Sequence, residues 1–409
     1  MNSRERVLKA INHEIPDRVP IDLGGTKSSG IHVDEYIQLG KALGIDIEMP
    51  KVYDQFQMLA RVDFPIRSRF NTDVVLLENI CENWDVNNVD WKVWETGNSQ
   101  KVLVPDDFKP EKGDDGYYYL RNKKGTVVAY MPEGGLYFER YIDSNYSSGD
   151  DMMPPEKWKA SIELYTDEEL KVLQKRAKLL HDYTDYAIIG NYSKLKFMTA
   201  AILAGHTLTE WLCRLITDPD YAYEILSATA ERNIENLELY LQAVGDYIDI
   251  IFVSTTDYGT QKAEMFNPEI FKEIYRPNLK KVNDYIHKNS KVKTMYHSCG
   301  SISNIIGYMA EAGIDIINPV QTTADNMDPV ELKSKYGKDI VFWGGGVDTQ
   351  TTLQFGSKED VEEQVRERLK IFGEGGGFVF CPVHNIQYGV PIENIIAAYD
   401  TAFKYGVYK

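Results

Sequence analysis

Short runs of Val, Ile, Phe and Leu alternate along this chain with longer stretches in which apolar residues recur every three or four positions. The first pattern reads as strand and the second as amphipathic helix. RVPIDLG (18–24) opens the series as a strand, a helix over 33–44 stops at Gly44, and TDVVLLEN (72–79) gives a second strand. A long helical stretch covers 167–182, DYAIIGNY (185–192) is a third strand, and helices fill 206–245. DYIDIIFVSTTD (246–257) supplies a fourth strand and 268–288 a helix. Pro277 inside that helix is expected to bend or break it, because proline lacks the N–H and crowds the preceding turn. Strands at 291–297, 314–320, 339–346 and 376–383 then alternate with helices at 302–313, 328–337, 358–373 and 391–406.

Eight strands that each lead into helix, built from the residues that doubly buried parallel strands require, predict an α/β fold closed as a (β/α)8 TIM barrel. A doubly wound open sheet competes, but no glycine fingerprint follows the first strand to favour it. A single barrel domain is expected over 1–409, since such barrels absorb this length without splitting. One segment breaks the alternation. From 84 to 147 there is no helical period, and GYYYLRNKKGTVVAYMPEGG (116–135) reads as a hairpin turning at 122–125, with Trp91, Trp94 and several tyrosines around it. This β-rich insertion after strand two is either a peripheral flap or a lid over the barrel mouth, where the loops that follow strands build active sites.

Composition narrows the partners. With 43% hydrophobic and 26% charged residues the chain has the make-up of an ordinary globular protein. A net charge of −17 leaves no basic stripe for nucleic-acid phosphates or an anionic membrane surface. No apolar run approaches the ~20 residues needed to cross a bilayer. The N-terminus is charged from its third residue and lacks the apolar core of a signal peptide, so a cytoplasmic location is expected. Four widely spaced cysteines, Cys81, Cys213, Cys299 and Cys381, fit a reducing interior better than a disulfide framework.

Candidate chemistry lies where predicted strands end, because the mouth of such a barrel is at their C-terminal face. The polar residues there are Asp22, Glu78, Asn191, Asp257, His297 with Cys299, Asn318, Asp348, and Cys381 with His384. Two of the four cysteines and two of the seven histidines thus fall at strand ends five and eight. One nitrogen and two sulfurs, from His297, Cys299 and Cys381, make a donor set that zinc prefers. The competing reading treats both cysteines as small buried hydrophobes and His297 as an ordinary strand-end histidine.

The order of YHSCGSISNIIGYMAEAGIDIIN, WGGGVDTQTTLQFGSKEDV and FCPVHNIQYGVPIENIIAAYD resembles the uroporphyrinogen decarboxylase superfamily. TTDYGTQKAEMFNPEIFKEIYRP (255–277) and ERVLKAINHEIPDRVPIDLGG extend the resemblance over nearly the whole chain apart from the insertion. It implies a (β/α)8 barrel and one of two chemistries. The cofactor-free decarboxylases hold their acidic tetrapyrrole with arginines just after the first strand, and here DLGGTKSSG (22–30) contains none. The corrinoid-dependent methyltransferases carry His-x-Cys and a distant Cys as zinc ligands, which implies zinc on His297, Cys299 and Cys381. The implied partners are a small methylated or methoxylated substrate and a separate protein carrying the corrinoid (cobalamin). Demethylation of the organic substrate is the expected direction, with methyl delivery to a thiol such as coenzyme M as the alternative. His384 is then a candidate general acid or substrate contact, and Asp257 and Glu78 are candidates to orient substrate or complete the metal shell. Asp22, Asn191, Asn318 and Asp348 are candidates to contact the cofactor. The residues leave the oligomeric state open, a homodimer included.

Overall fold

The computed structural model describes residues 1–81, 86–141, 152–192, 194 and 203–408. Its centre is a parallel sheet of seven strands, each next to its sequence neighbour. They are β3 (Val74–Leu77), β10 (Ala187–Asn191), β11 (Ile250–Thr255), β12 (Lys293–His297), β13 (Ile316–Asn318), β14 (Val341–Trp343) and β15 (Phe378–Val379). Each coincides with the core of a predicted strand. The first predicted strand, 18–24, does not form a ladder; it contributes isolated bridges instead, among them a parallel one between Ile21 and Phe380.

The reason is local. Pro20 has no N–H to donate, and the Ile21 N–H goes to the Asp73 carboxylate at 2.8 Å rather than to a strand. The segment still closes the ring. Asp22 N donates to Phe380 O and Phe380 N to Pro20 O on the β15 side, both at 2.8 Å, and Asp73 N donates to Ile21 O at 2.7 Å on the β3 side. The seven strands plus this connecting segment make the TIM-barrel-like arrangement that the eight-fold pattern predicts.

Side chains alternate across the sheet. The inward rows, including Val74, Ile189, Ile250, Met295, Ile316, Trp343 and Cys381, form one buried cluster that the N-terminal helix Ser3–Ile11 stoppers with Val7, Ala10 and Ile11. The outward rows pack against the helices in a second, larger cluster. Pro277 neither bends nor breaks its helix in the simple sense. The chain runs Pro268–Ile270, then a π-helical turn Phe271–Tyr275, then Arg276–Asn289. The wider turn absorbs the missing donor of Pro277, and the Arg276 side chain donates to the neighbouring Lys272 carbonyl at 3.2 Å.

Between β3 and β10 the insertion is β-rich, as its pattern predicts. A short pair, β1 (Val52–Asp54) and β2 (Leu59–Ala60), precedes β3, and the insertion itself contains the hairpin β4 (Trp91–Glu95) and β5 (Lys101–Pro105). A four-stranded antiparallel sheet follows, of β6 (Glu111–Lys112), β7 (Tyr118–Arg121), β8 (Val127–Met131) and β9 (Glu139–Arg140). The β7–β8 turn falls at 122–125, where the Asn122 side chain accepts the Lys124 and Thr126 N–H groups and Gly125 takes a φ of +80°. The outer borders expected for the insertion, 84–85 and 142–147, lie outside the described residues. No helix among the described residues is long and apolar enough to cross a membrane.

Candidate metal centre

The inward rows turn polar where the strands run out. Asn191 in β10, His297 in β12, Asn318 in β13 and Cys381 just past β15 are the next inward positions beyond Ile189, Met295, Ile316 and Val379. His297 and Asn318 are direct partners in the β12–β13 ladder.

Around His297 the loops after β11 and β12 are stitched together. A Cβ on Gly300, whose φ is +89°, would stand 2.4 Å from the Gly259 carbonyl carbon, so only glycine allows this crossing. Ser301 N donates to Thr260 O at 2.7 Å, Tyr258 N to Ser298 Oγ at 2.9 Å and Gly300 N to Gln321 Oε1 at 2.7 Å. Cys299 N donates to Asp257 Oδ1 at 2.7 Å.

These bonds gather three potential ligands. Asp257, His297 and Cys299 each place a donor atom within 4.8 Å of the others. His297 Nε2 lies 3.5 Å from Cys299 Sγ and 3.4 Å from Asp257 Oδ1. Burial alone would lower the His297 pKa, but the Cys299 sulfur and the Asp257 carboxylate outweigh it and hold it well above 6.5. Asp257 moves the other way: burial opposes its charge, yet the His297 hydrogen bond and charge pull it below 3.8. The cluster therefore favours a positive charge at its centre, a place a proton or a divalent cation can take. Nitrogen, sulfur and oxygen donors together suit zinc.

His384 is a neighbour, its ring centroid 6.3 Å from that of His297 and its Nδ1 3.0 Å from Asn385 Oδ1. Burial, helped by the His297 charge, pushes its pKa down to about 4 and keeps it neutral at pH 7. Cys381 falls outside the group of three. It is fully buried, and burial followed by the nearby Asp22 raises its thiol well above 9.0. Its Sγ would be 3.2 Å from a Cβ on Gly344, a position that is also 3.7 Å from Asn318 Nδ2.

The other sequence candidates divide into two kinds. Asp22 and Asn318 are buried and fully engaged: Asp22 accepts from Trp343 Nε1 at 2.9 Å and Gly25 N at 2.7 Å, while Asn318 contacts His297, Ser28 and the Trp343 carbonyl. Glu78, Asp348 and Asn191 are not brought into the cluster. Glu78 is clasped by Arg61 through two bonds of 2.6 and 2.5 Å. Asp348 accepts Thr351 N at 2.7 Å and Gln350 N at 3.2 Å, holding the turn that enters the helix Thr352–Phe355. Asn191 sits opposite Phe252 in the β10–β11 ladder. Sequence reading missed Ser28, Gln321, Trp343 and Asn385. Nothing in a TKSSG loop or a strand tryptophan marks them, since their roles come from partners some 290 and 321 positions away for Ser28 and Trp343.

Comparison with known proteins adds the family. The pattern of uroporphyrinogen decarboxylase (URO-D) matches residues 125–405. The methylcobamide:CoM methyltransferase MtbA of Methanosarcina mazei is 27% identical over 183 residues, 43% of this chain and 50% of that protein. A uroporphyrinogen decarboxylase of Anaeromyxobacter dehalogenans is 23% identical over 160 residues, 36% of this chain and 42% of that protein. The chain thus spans half or less of the length of these curated relatives. A solved methyltransferase from Methanosarcina mazei shares the fold over 99% of both chains, with a TM-score of 0.55 and 16% identity. The chain belongs to the uroporphyrinogen decarboxylase (URO-D) family.

Proposed function

We propose that this protein is a zinc-dependent methyltransferase that moves a methyl group between a small methylated or methoxylated compound and the cobalt of a separate corrinoid protein. The observation that carries the reading is the cluster of Asp257, His297 and Cys299 at the C-terminal ends of β11 and β12. A decarboxylase that works without a cofactor has no use for a nitrogen and a sulfur donor drawn together beside a carboxylate. The likeness to a methylcobamide:CoM methyltransferase supports the same branch of the family.

His297 Nε2 and Cys299 Sγ would hold the metal, with Cys381 as the third ligand implied by the family resemblance and Asp257 as a further donor. Zinc in that place supplies Lewis acidity to the heteroatom that loses or gains the methyl group. The chain's own groups do the rest. Asp257 fixes the Cys299 backbone through its N–H. His384, neutral and beside His297, offers a proton acceptor to an incoming thiol or a contact to the substrate.

The insertion belongs to this reading as a lid within one barrel domain. Its last stretch is tied to the mouth: the His32 ring meets Leu136 O at 3.2 Å and lies edge-on to Tyr137 and Tyr388, and the Tyr137 hydroxyl accepts Tyr388 N at 2.9 Å. Substrate should slow proteolysis of this segment; a rate that does not change would leave it a flap.

Metal analysis of protein purified without chelator should return zinc near one per chain. Mixing the protein with a reduced corrinoid protein and a panel of methoxyarenes, methylamines and thiols should then change the visible cobalt spectrum with one class. Metal-free protein that releases carbon dioxide from an acidic tetrapyrrole would overturn the proposal. The activity named for the Methanosarcina mazei relative favours the thiol direction as the second reading, and the thiol arm of the panel separates the two.

A further inference from the structure

An imidazole can offer only one nitrogen to Cys299 and Asp257, and the bonds behind it decide which. His297 Nδ1 lies 3.1 Å from Asn318 Oδ1. The Asn318 amide is not free to turn over. Its Nδ2 donates to Trp343 O at 3.1 Å, and a carbonyl can only accept, so the oxygen must face the other way. On that side the Ser28 hydroxyl also donates to Oδ1, at 2.6 Å. Asn318 is fully buried, so a flipped amide would set oxygen against oxygen with no water to relieve it.

Ser28 is itself held from behind. Thr26 caps the short 3-10 turn Lys27–Ser29, and its hydroxyl lies 3.0 Å from that of Ser28. Asp22 anchors the start of the same loop through Gly25 N and reaches across to the Trp343 indole. The bonds make a closed circuit: from the 22–30 loop through Asp22 to Trp343, from the Trp343 carbonyl to Asn318, and from Asn318 back to Ser28. His297 hangs on that circuit by Nδ1 alone.

We propose that Asn318 is a positioning residue, supported by Ser28 and Trp343, that keeps the proton on His297 Nδ1 and turns the Nε2 lone pair toward Cys299 and Asp257. The inference rests on the metal reading above, and it ties the loop after the first strand segment to the metal ligand. A histidine ligand commonly depends on such a partner for its tautomer, and losing one weakens metal binding about 10–100-fold.

The test combines zinc affinity, measured by competition with a chromophoric chelator, and the 1H–15N spectrum of protein labelled at histidine. Zinc-loaded wild type should show His297 protonated on Nδ1 with a slowly exchanging proton. Asn318→Leu should lose that signal and bind zinc about 10–100-fold more weakly. Ser28→Ala, a milder change that removes one hydroxyl from a buried loop, should shift affinity the same way by less. A wild-type His297 protonated on Nε2, or wild-type zinc affinity in both variants, would overturn the positioning role while leaving the metal reading intact. A wild type that takes up no zinc would overturn the metal reading instead. In that case the tautomer is read in the metal-free protein at a pH above the raised His297 value, where an Nε2–H form still refutes the inference.

Discussion

The two ends of this barrel both gather charge, and they do so in opposite ways. At the N-terminal end Asp73 receives Arg6 at 2.7 Å and Arg18 at 2.7 Å, and Arg6 also meets Asp17 at 2.6 Å. Both carboxylates of this network, Asp73 and Asp17, face a guanidinium, and Asp73 also accepts the Ile21 N–H. At the C-terminal end Asp257, His297 and Cys299 converge with no lysine or arginine paired to them among the described residues, and the His297 pKa rises to supply the missing positive charge. A matched network stabilises one arrangement; an unmatched one attracts a ligand. That difference separates the end that closes the ring from the end that would bind metal, in keeping with barrels whose bottom carries stability and whose top carries chemistry.

The strongest way to break the comparison is to exchange the costs. Cys299→Ala should lower methyl transfer on the order of a thousandfold or more, since a metal site supplies several kcal/mol to the transition state and each 1.36 kcal/mol is tenfold in rate. Its thermal stability in the metal-free state should fall only slightly, because the half-buried sulfur helps stabilise the charged His297 but carries no core packing. Asp73→Asn should do the reverse. It leaves Arg18 buried without a carboxylate and Arg6 with Asp17 alone, costs about 3–5 kcal/mol of stability, and leaves zinc affinity in the surviving folded fraction unchanged. Denaturant unfolding beside metal titration checks both, and a Cys299→Ala protein that unfolds as readily as Asp73→Asn would erase the distinction.

Much of the architecture was legible in the sequence. Short continuous apolar runs located all seven ladder strands, because parallel barrel strands are buried on both faces and cannot disguise themselves with polar residues. The eighth was harder. RVPIDLG has the composition of a strand, yet Pro20 and the pull of Asp73 on the Ile21 N–H leave only bridges, and the second of these depends on a residue 52 positions away. The site divided in the same way. His297 and Cys299 stood out as rare residues at a strand end, and Asp257 followed from the same rule of strand termini. That Asp257 reaches Cys299 N follows from a glycine-on-glycine crossing of two loops, which no spacing reveals. Asp22 and Asn318 were visible as polar strand ends, but their partners, Trp343 and Ser28, were not.

A smaller effect sharpens the comparison through pH. In the metal-free protein His297 carries a pKa raised above its unfolded value, so its contribution to stability is full below about 6.5 and is lost as pH rises through the folded value. Asp257, depressed below 3.8, contributes above that value and loses it only as pH falls through its own folded pKa. Metal-free protein should therefore lose a few degrees of Tm on going from mildly acidic to alkaline pH, and zinc should restore more stability the higher the pH, since the ion and the proton compete for Nε2. Thermal melts with and without zinc across the range test this; parallel curves would mean that proton and metal do not share the position.

The smallest effect concerns the candidates that belong to neither end. Asp348 was a reasonable choice as a mouth residue, being polar and just past β14, and it is almost fully buried. Its oxygens are nevertheless spent on its own chain, on the N–H groups of Gln350 and Thr351 and on the Thr351 hydroxyl. That is the work of a local cap. Asp348→Ala should cost about 0.5–2 kcal/mol, the range for losing such a side-chain acceptor at the entry to a helix, with zinc affinity and methyl transfer within twofold of wild type. A tenfold fall in either, at unchanged stability, would bring Asp348 into the site and show that the polar mouth extends past Asn318 toward β14. Unaltered function with the modest stability loss would instead confine the chemistry to the loops after β11 and β12, where the unmatched charges are.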